Sequence, residues 1–151
     1  MAEQPPDMKL KAIGVVRNGV KQPVRHGWSD VVSDIVVDSH LAEALDGLEE
    51  FSHIIVLYWM HQLTLGRKLK LKVHPMGKPE LPLTGRFATR APSRPNPVGQ
   101  ATVRLLERRD NILKVKGLDA IDGTPVIDIK PYIPGYDSAI DAKAPRWTTK
   151  H

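Results

Sequence analysis

The sequence contains no cysteine in its 151 residues. That removes disulfides, thiolate nucleophiles and cysteine-ligated zinc together, and it is compatible with a cytoplasmic location. The opening residues, Met1 to Lys9, include Glu3, Pro5, Pro6 and Asp7, and no apolar signal core follows them, so secretion is not expected. Apolar runs are short. The longest, Ile54 to Met60, falls far below the length that spans a bilayer, so no membrane partner is expected. No βαβ alternation is present and no Gly-x-Gly-x-x-Gly follows a predicted strand, which excludes a Rossmann nucleotide site. The six histidines show no His-Glu-x-x-His or comparable spacing, so no metal is expected, and His40 and His53 read as structural or solvated. There is no visible nucleophile triad and no internal repeat.

What is present fits one ordinary globular domain. Hydrophobic residues make up 41% and charged residues 26%, and a domain of this length can bury a core without metals or cross-links. The formal charge of +5 is an excess that attracts polyanions over a long range.

The pattern predicts short strands separated by turns. Leu10 to Arg17 reads as a strand ended by Asn18-Gly19, and Val31 to Val37 as a second. Asp38 or Ser39 is placed to cap a short helix, with Leu41, Leu45 and Leu48 forming its core stripe and Gly47 weakening or ending it. Ile54 to Met60 reads as a strand buried on both faces that runs into His61-Gln62. In the segment 63–82, Leu69, Leu71 and Val73 alternate with Lys68, Lys70 and Lys72, as in an amphipathic strand or an extended flap. Arg67, Lys68, Lys70, Lys72 and Lys78 are either phosphate contacts or a solvated flap face. Gly85 to Thr89, Gln100 to Glu107, Ile112 to Leu118 and Val126 to Lys130 complete the strands, with turns at Asp110-Asn111 and Asp122-Gly123. Such a series favours a barrel or a sandwich.

Two segments stand out. In Phe87-Ala88-Thr89-Arg90-Ala91-Pro92-Ser93-Arg94-Pro95-Asn96-Pro97-Val98-Gly99, three prolines within six residues fix φ and extend the residues before them. A stiff loop loses little entropy when a ligand arrives. Arg90 and Arg94 offer bidentate anion contacts, Asn96 offers a donor and an acceptor, and Gly99 permits close backbone approach. The same residues also suit a structural turn with solvated arginines. The second segment is Gly117-Leu118-Asp119-Ala120-Ile121-Asp122-Gly123-Thr124-Pro125-Val126-Ile127-Asp128-Ile129-Lys130-Pro131-Tyr132. Its Asp122-Gly123 turn is expected to expose backbone N–H groups. Strand alternation would place Val126, Asp128 and Lys130 on one face and Ile127 and Ile129 on the other. Asp128 and Lys130 are then either a surface ion pair or part of a polar cleft.

Together these segments resemble the signatures of the TrmO family, also called TsaA-like or YaeB-like, which read roughly FATRSPxRPNPxG and DxxDGTPVxDIKPY. The one notable departure is Ala91, where the family often has serine. Ile13-Gly14-Val15-Val16-Arg17, Leu48-Glu49-Glu50-Phe51-Ser52-His53 and His61-Gln62 match further family segments, so the resemblance covers residues 10–138. It implies a mainly β fold, a small and mostly antiparallel β-barrel with one or two short helices. A flexible segment over residues 1–9 and a tail over 139–151 would flank it. It implies S-adenosyl-L-methionine as cofactor and a homodimer with the cofactor site near the interface. The implied activity is methylation of the exocyclic N6 amine of threonylcarbamoyl-adenosine beside the tRNA anticodon. The chain resembles a short form without the C-terminal domain of better-characterised bacterial members, so methylation of another RNA or a small molecule, and a non-catalytic S-adenosylmethionine-binding module, stay open.

By matching position the resemblance implies cofactor contacts at His26, Gly27, Trp28, His61, Gln62, Arg90, Gln100, Ala120, Ile121, Asp122, Gly123 and Thr124. Arg90 suits the cofactor carboxylate, backbone groups of the Asp122-Gly123 turn suit the adenine edge, and the Trp28 ring suits the sulfonium. An attacking amine must lose a proton. Asp128 is the expected acceptor, with Lys130, Asn96 and Tyr132 orienting it.

Overall fold

The computed structural model describes residues 4–22, 27–61 and 69–149. Its strands are β1 Gly14–Arg17, β2 Val32–Val37, β3 His53–Trp59, β4 Lys72–Val73, β5 Thr84–Gly85, β6 Val98–Arg109, β7 Ile112–Lys116 and β8 Pro125–Pro131. Six of them close a barrel in the order β1-β2-β7-β6-β3-β8, and every neighbouring pair is antiparallel. β4 and β5 form a separate two-stranded flap. The fold is the expected mainly β, antiparallel barrel. Closure follows from the pattern: each wall strand turns alternate side chains inward, and a closed sheet leaves no unpaired edge.

The core is that inward set. Val16, Ile35, Ile54, Val56, Val103, Leu113, Val115 and Val126 are essentially inaccessible to solvent, with Leu118 filling the barrel end after β7. Each such side chain contributes about 1.5–3 kcal/mol of burial. The β6–β7 hairpin turns at Asp110, whose φ is 53°, and Asn111 Nδ2 donates to the Val37 carbonyl at 2.7 Å, tying the turn to the end of β2.

Four local expectations change. Ile54 to Met60 is not buried on both faces. In β3, Ile54, Val56 and Tyr58 point inward while Ile55, Leu57 and Trp59 are half-buried on the outer wall, because a barrel wall has one core side. The helix after Asp38 forms as 3-10 turns, Ser39–Leu45 and Leu48–Glu50, without a side-chain cap from Asp38. Gly85 to Thr89 is not a strand. After the two residues of β5 the chain turns through a 3-10 segment, Arg86–Ala88, that leaves Phe87 exposed. Finally, β8 carries a bulge: Leu57 pairs with Asp128 but Tyr58 pairs with Val126, so Ile127 is the extra residue. The bulge reverses the alternation, so Val126 and Ile129 both pack against the core and Asp128 and Lys130 lie outside.

The α1 turn, Pro134–Asp137, and the 3-10 segment Arg146–Thr149 follow β8. Arg108 locks the 3-10 turns to the barrel. It donates to the carbonyls of Ala42 and Asp110 at 3.0 and 2.9 Å and pairs with Asp46 at 2.9 Å.

Candidate functional site

Antiparallel order brings the ends of β1, β3 and β7 and the starts of β2, β6 and β8 to one barrel mouth. Both signature segments lie there. The proline-rich loop leads into β6, and residues 117–124 join β7 to β8. Between them opens a cleft of about 680 Å³, within the usual range for small-ligand sites.

The 117–124 connection is held from inside. Asn18 Nδ2 donates to Ser33 Oγ and to the Ala120 carbonyl, at 2.9 and 2.8 Å, and Asn18 N donates to Asp122 Oδ1 at 2.9 Å. Lys21 Nζ meets Asp122 Oδ2 at 2.8 Å. The Lys21 ammonium, with the Asn18 N–H, holds the Asp122 carboxyl below the usual carboxylate range. The turn N–H groups are also committed: Asp122 N donates to the Val20 carbonyl and Gly123 N to the Val16 carbonyl. Thr124 N and Oγ1 both donate to the Ile121 carbonyl. The Asp122-Gly123 turn therefore does not present free N–H groups to a ligand, and its carboxylate is a brace. The N–H groups of Ala120 and Ile121 are different. Both residues are buried at the cleft, and among the described residues neither N–H has a protein acceptor.

The proline-rich loop is stiffened by one of its own arginines. Arg94 Nη1 donates to the Thr89 carbonyl at 2.5 Å and reaches the Ala91 and Arg86 carbonyls at 3.4 and 3.5 Å, while its guanidinium lies 5.7 Å from the Phe87 ring centroid. Arg94 is thus spent on the loop. Arg90 is exposed at the cleft and pairs with no carboxylate among the described residues. The Asn96 carbonyl accepts from Val98 N at 2.7 Å, and the Pro97 carbonyl accepts from Met60 N at 2.8 Å, which anchors the loop end to β3.

The cleft floor holds a pair that the sequence did not signal. Tyr58, 4% exposed, donates its hydroxyl to Asp119 Oδ1 at 2.6 Å. Burial, reinforced by the hydrogen bond to the Asp119 carboxylate, pushes the phenol above its ordinary range, so it stays a donor. Gly99 makes this possible. A Cβ there would sit 2.4 Å from Tyr58 ring carbons, so close approach rather than an unusual φ requires glycine.

Of the expected cofactor residues, Trp28, His61, Arg90, Gln100, Ala120, Ile121 and Thr124 line the cleft. Gly27 precedes Trp28, and Gly123 sits beside His61, whose Nε2 would be 3.9 Å from a Cβ there. His26, Gln62, Arg67 and Lys68 lie outside the described residues. The expected catalytic group is not gathered here. Asp128 pairs with Lys130 at 3.1 Å on the outer wall, and Tyr132 stacks edge-on against His53 at 6.3 Å. Asp128, Lys130, Tyr132 and Asn96 do not line the cleft. Tyr58, Met60, Phe87 and Asp119 do, and of these Phe87 and Asp119 sit in the two signature segments while Tyr58 and Met60 lie outside both. Among the described residues no cluster of three acidic or histidine side chains suits a metal, and no helix is long and apolar enough to cross a membrane.

A closed antiparallel barrel with a ligand-sized cleft at one mouth, walled by a rigid arginine loop, defines a small-molecule-binding β-barrel of non-Rossmann type. Comparison with known proteins narrows the class. The family model described as the tRNA-methyltransferase O N-terminal domain matches residues 17–138. An S-adenosyl-L-methionine-binding protein of Archaeoglobus fulgidus is 47% identical over 134 residues, 86% of this chain and 93% of that protein. The tRNA (adenine(37)-N6)-methyltransferase of Escherichia coli is 37% identical over 147 residues, 90% of this chain and 62% of that enzyme. A crystal structure of TrmO superposes with a TM-score of 0.74 at 34% identity, and TrmO from Pseudomonas aeruginosa with 0.71 at 32%. These cover 92% and 91% of this chain, which spans only 64% and 62% of those structures. The chain belongs to the TrmO family.

Proposed function

We propose that the protein is an S-adenosylmethionine-dependent methyltransferase whose cleft at the barrel mouth holds the methyl donor. The observation that carries this reading is the fit of the cleft to that molecule's four groups. Arg90 offers a cation for its carboxylate, and the unpartnered N–H groups of Ala120 and Ile121 offer donors to an adenine edge. Trp28 and Phe87 offer ring faces, and Asp119 a carboxylate, to positive charge. His61, Gln100 and Thr124 complete the wall. His26, Gly27, Gln62, Asp122 and Gly123 belong to the same proposal as neighbours and supports of it.

The acceptor is proposed to be the N6 amine of threonylcarbamoyl-adenosine in tRNA; the name of the Escherichia coli relative supports an adenine N6 in tRNA. The bound donor supplies a methyl group on sulfonium. The amine nitrogen bonds to the methyl carbon as the carbon–sulfur pair departs with sulfur, and the nitrogen then sheds a proton. Asp119 is placed to receive it, because its carboxylate lines the cleft and Tyr58 fixes its direction. Asp128, tied to Lys130 outside the barrel, lacks that position within one chain. The chain is further proposed to work as a homodimer in the cytoplasm. Phe87, 78% exposed at the cleft rim beside exposed Val98, supplies apolar surface for a second copy to cover.

The test pairs Asp119→Asn with Asp128→Asn. Asp119→Asn is expected to lower turnover about 10²- to 10⁴-fold with donor affinity kept within a few-fold, and Asp128→Asn to leave turnover near that of the unchanged chain. The reverse ranking would return the proton-acceptor role to Asp128. A second reading, donor binding without catalysis, is favoured by the Archaeoglobus fulgidus relative, named only for binding and nearly the same length as the matched region. It predicts equal donor affinity in all three proteins and no transfer to any RNA.

A further inference from the structure

A second and larger cleft, of about 1130 Å³, lies on the far side of the proline-rich loop. The loop is the partition. Its extended backbone turns Ala91 and Ser93 toward the second cleft and Pro92 and Arg94 toward the donor cleft, while Thr89 and Arg90 line both. The rest of the lining comes from the flap and the segment after the barrel: Lys70, Lys72, His74 and Arg86 from the one, Trp147 from the other. Four of the lining residues are lysine or arginine and none is acidic. Among the described residues no carboxylate lies within ion-pair distance of Lys70, Lys72, Arg86 or Arg90. Arg86 is held in place, with Nε donating to the Lys70 carbonyl at 3.1 Å and its backbone N to the Leu71 carbonyl at 2.8 Å. Cations without carboxylate partners and an aromatic ring lining one groove form the combination that binds single-stranded nucleic acid, with phosphates on the cations and a base against the ring.

We propose that this groove seats the nucleotides flanking the acceptor base, so that a single strand of RNA lies along the flap and enters the donor cleft past Arg90. The proposal rests on the RNA methyltransferase reading above and assigns it a substrate surface: Lys70, Lys72 and Arg86 for phosphates, Trp147 for a base. The shared Arg90 places the strand and the donor on either side of one rigid loop, which suits transfer from one to the other.

Binding of a fluorescently labelled anticodon stem-loop RNA, measured across salt concentrations with saturating S-adenosylhomocysteine, tests it. Three phosphate contacts give a slope of log K against log salt of about −2.1, so affinity falls about 18-fold from 50 to 200 mM salt. Lys70→Gln with Lys72→Gln, both at exposed positions, should cut the slope to about −0.7. Trp147→Ala should weaken binding on the order of ten-fold with the slope unchanged. Donor affinity, measured by calorimetry on the same samples, should hold in every variant and shows that each is folded. Wild-type RNA affinity and slope in the variants would overturn the groove and leave the methyltransferase reading intact. A wild-type chain that binds the donor but no RNA would overturn the groove and the RNA acceptor together. Failure to bind the donor would overturn the reading beneath both.

Discussion

Replacing Tyr58 with phenylalanine isolates the contact on which the cleft floor depends. Phenylalanine keeps the ring that packs on Gly99 and removes only the hydroxyl that donates to Asp119 at 2.6 Å. At neutral pH the loss is that of one hydrogen bond to a charged acceptor, about 1.5–3 kcal/mol, trimmed toward the lower end because the exposed Asp119 carboxylate regains water. The pH dependence is more diagnostic. Tyr58 has its folded value raised, chiefly by burial, so the folded chain keeps the phenol proton while the unfolded chain releases it above about pH 10. The unfolded state then binds fewer protons than the folded one, and stability falls as pH rises. The tyrosine contribution is whole below pH 10 and shrinks by about 1.4 kcal/mol on reaching pH 11. Tyr58→Phe lacks this linkage. Urea midpoints at pH 8 and pH 11 read the difference directly. The gap between wild type and variant should narrow by about 1.4 kcal/mol at the higher pH. A gap that stays constant would mean that Tyr58 ionises as readily in the fold as out of it, and the description of the buried pair would be wrong.

Asp122→Asn removes the carboxylate braced by Lys21 and Asn18. Its depressed value means that its stabilisation is present above about pH 4 and is lost as pH falls below, so the variant should show a shallower acid unfolding profile than wild type. Arg108→Ala unties the 3-10 turns from the β6–β7 hairpin and should cost on the order of 1–2 kcal/mol in a chemical denaturation midpoint, with donor affinity unchanged. Gly99→Ala should lower melting temperature and displace Tyr58, because the new methyl group would overlap its ring. Overpacking of this kind costs about 1–3 kcal/mol.

The barrel was readable because its strands announce themselves. Alternation in Val32–Val37 and Ile112–Lys116, and turn residues at Asp110 and Gly123, are local signals, and the structure keeps them. The motif loops were likewise visible as proline-dense and Asp-Gly-containing segments, and they converge on one mouth. What stayed hidden depends on pairing across the sheet. The Ile127 bulge is invisible along the strand, because it exists only relative to β3, and it alone decides that Asp128 leaves the core side. The Tyr58–Asp119 contact joins residues 61 positions apart, and its signal, the obligate Gly99, lies on a third segment. Arg94 and Arg90 look equivalent in sequence. Only the carbonyls gathered around Arg94 show that one stiffens the loop and leaves the other exposed at the cleft. Trp147 stands in no motif, and the structure makes it part of the lining of the second cleft.

Methyl transfer itself is the most direct measurement. The chain is incubated with methyl-labelled S-adenosylmethionine and an anticodon stem-loop carrying threonylcarbamoyl-adenosine, beside the same RNA without the modification. The account predicts label on the N6 position of the modified RNA, little on the unmodified one, and a loss of about 10²-fold or more with Asp119→Asn. Donor binding without label on either RNA, at any enzyme concentration, would contradict it and leave a barrel that binds the cofactor but does not transfer its methyl group to RNA.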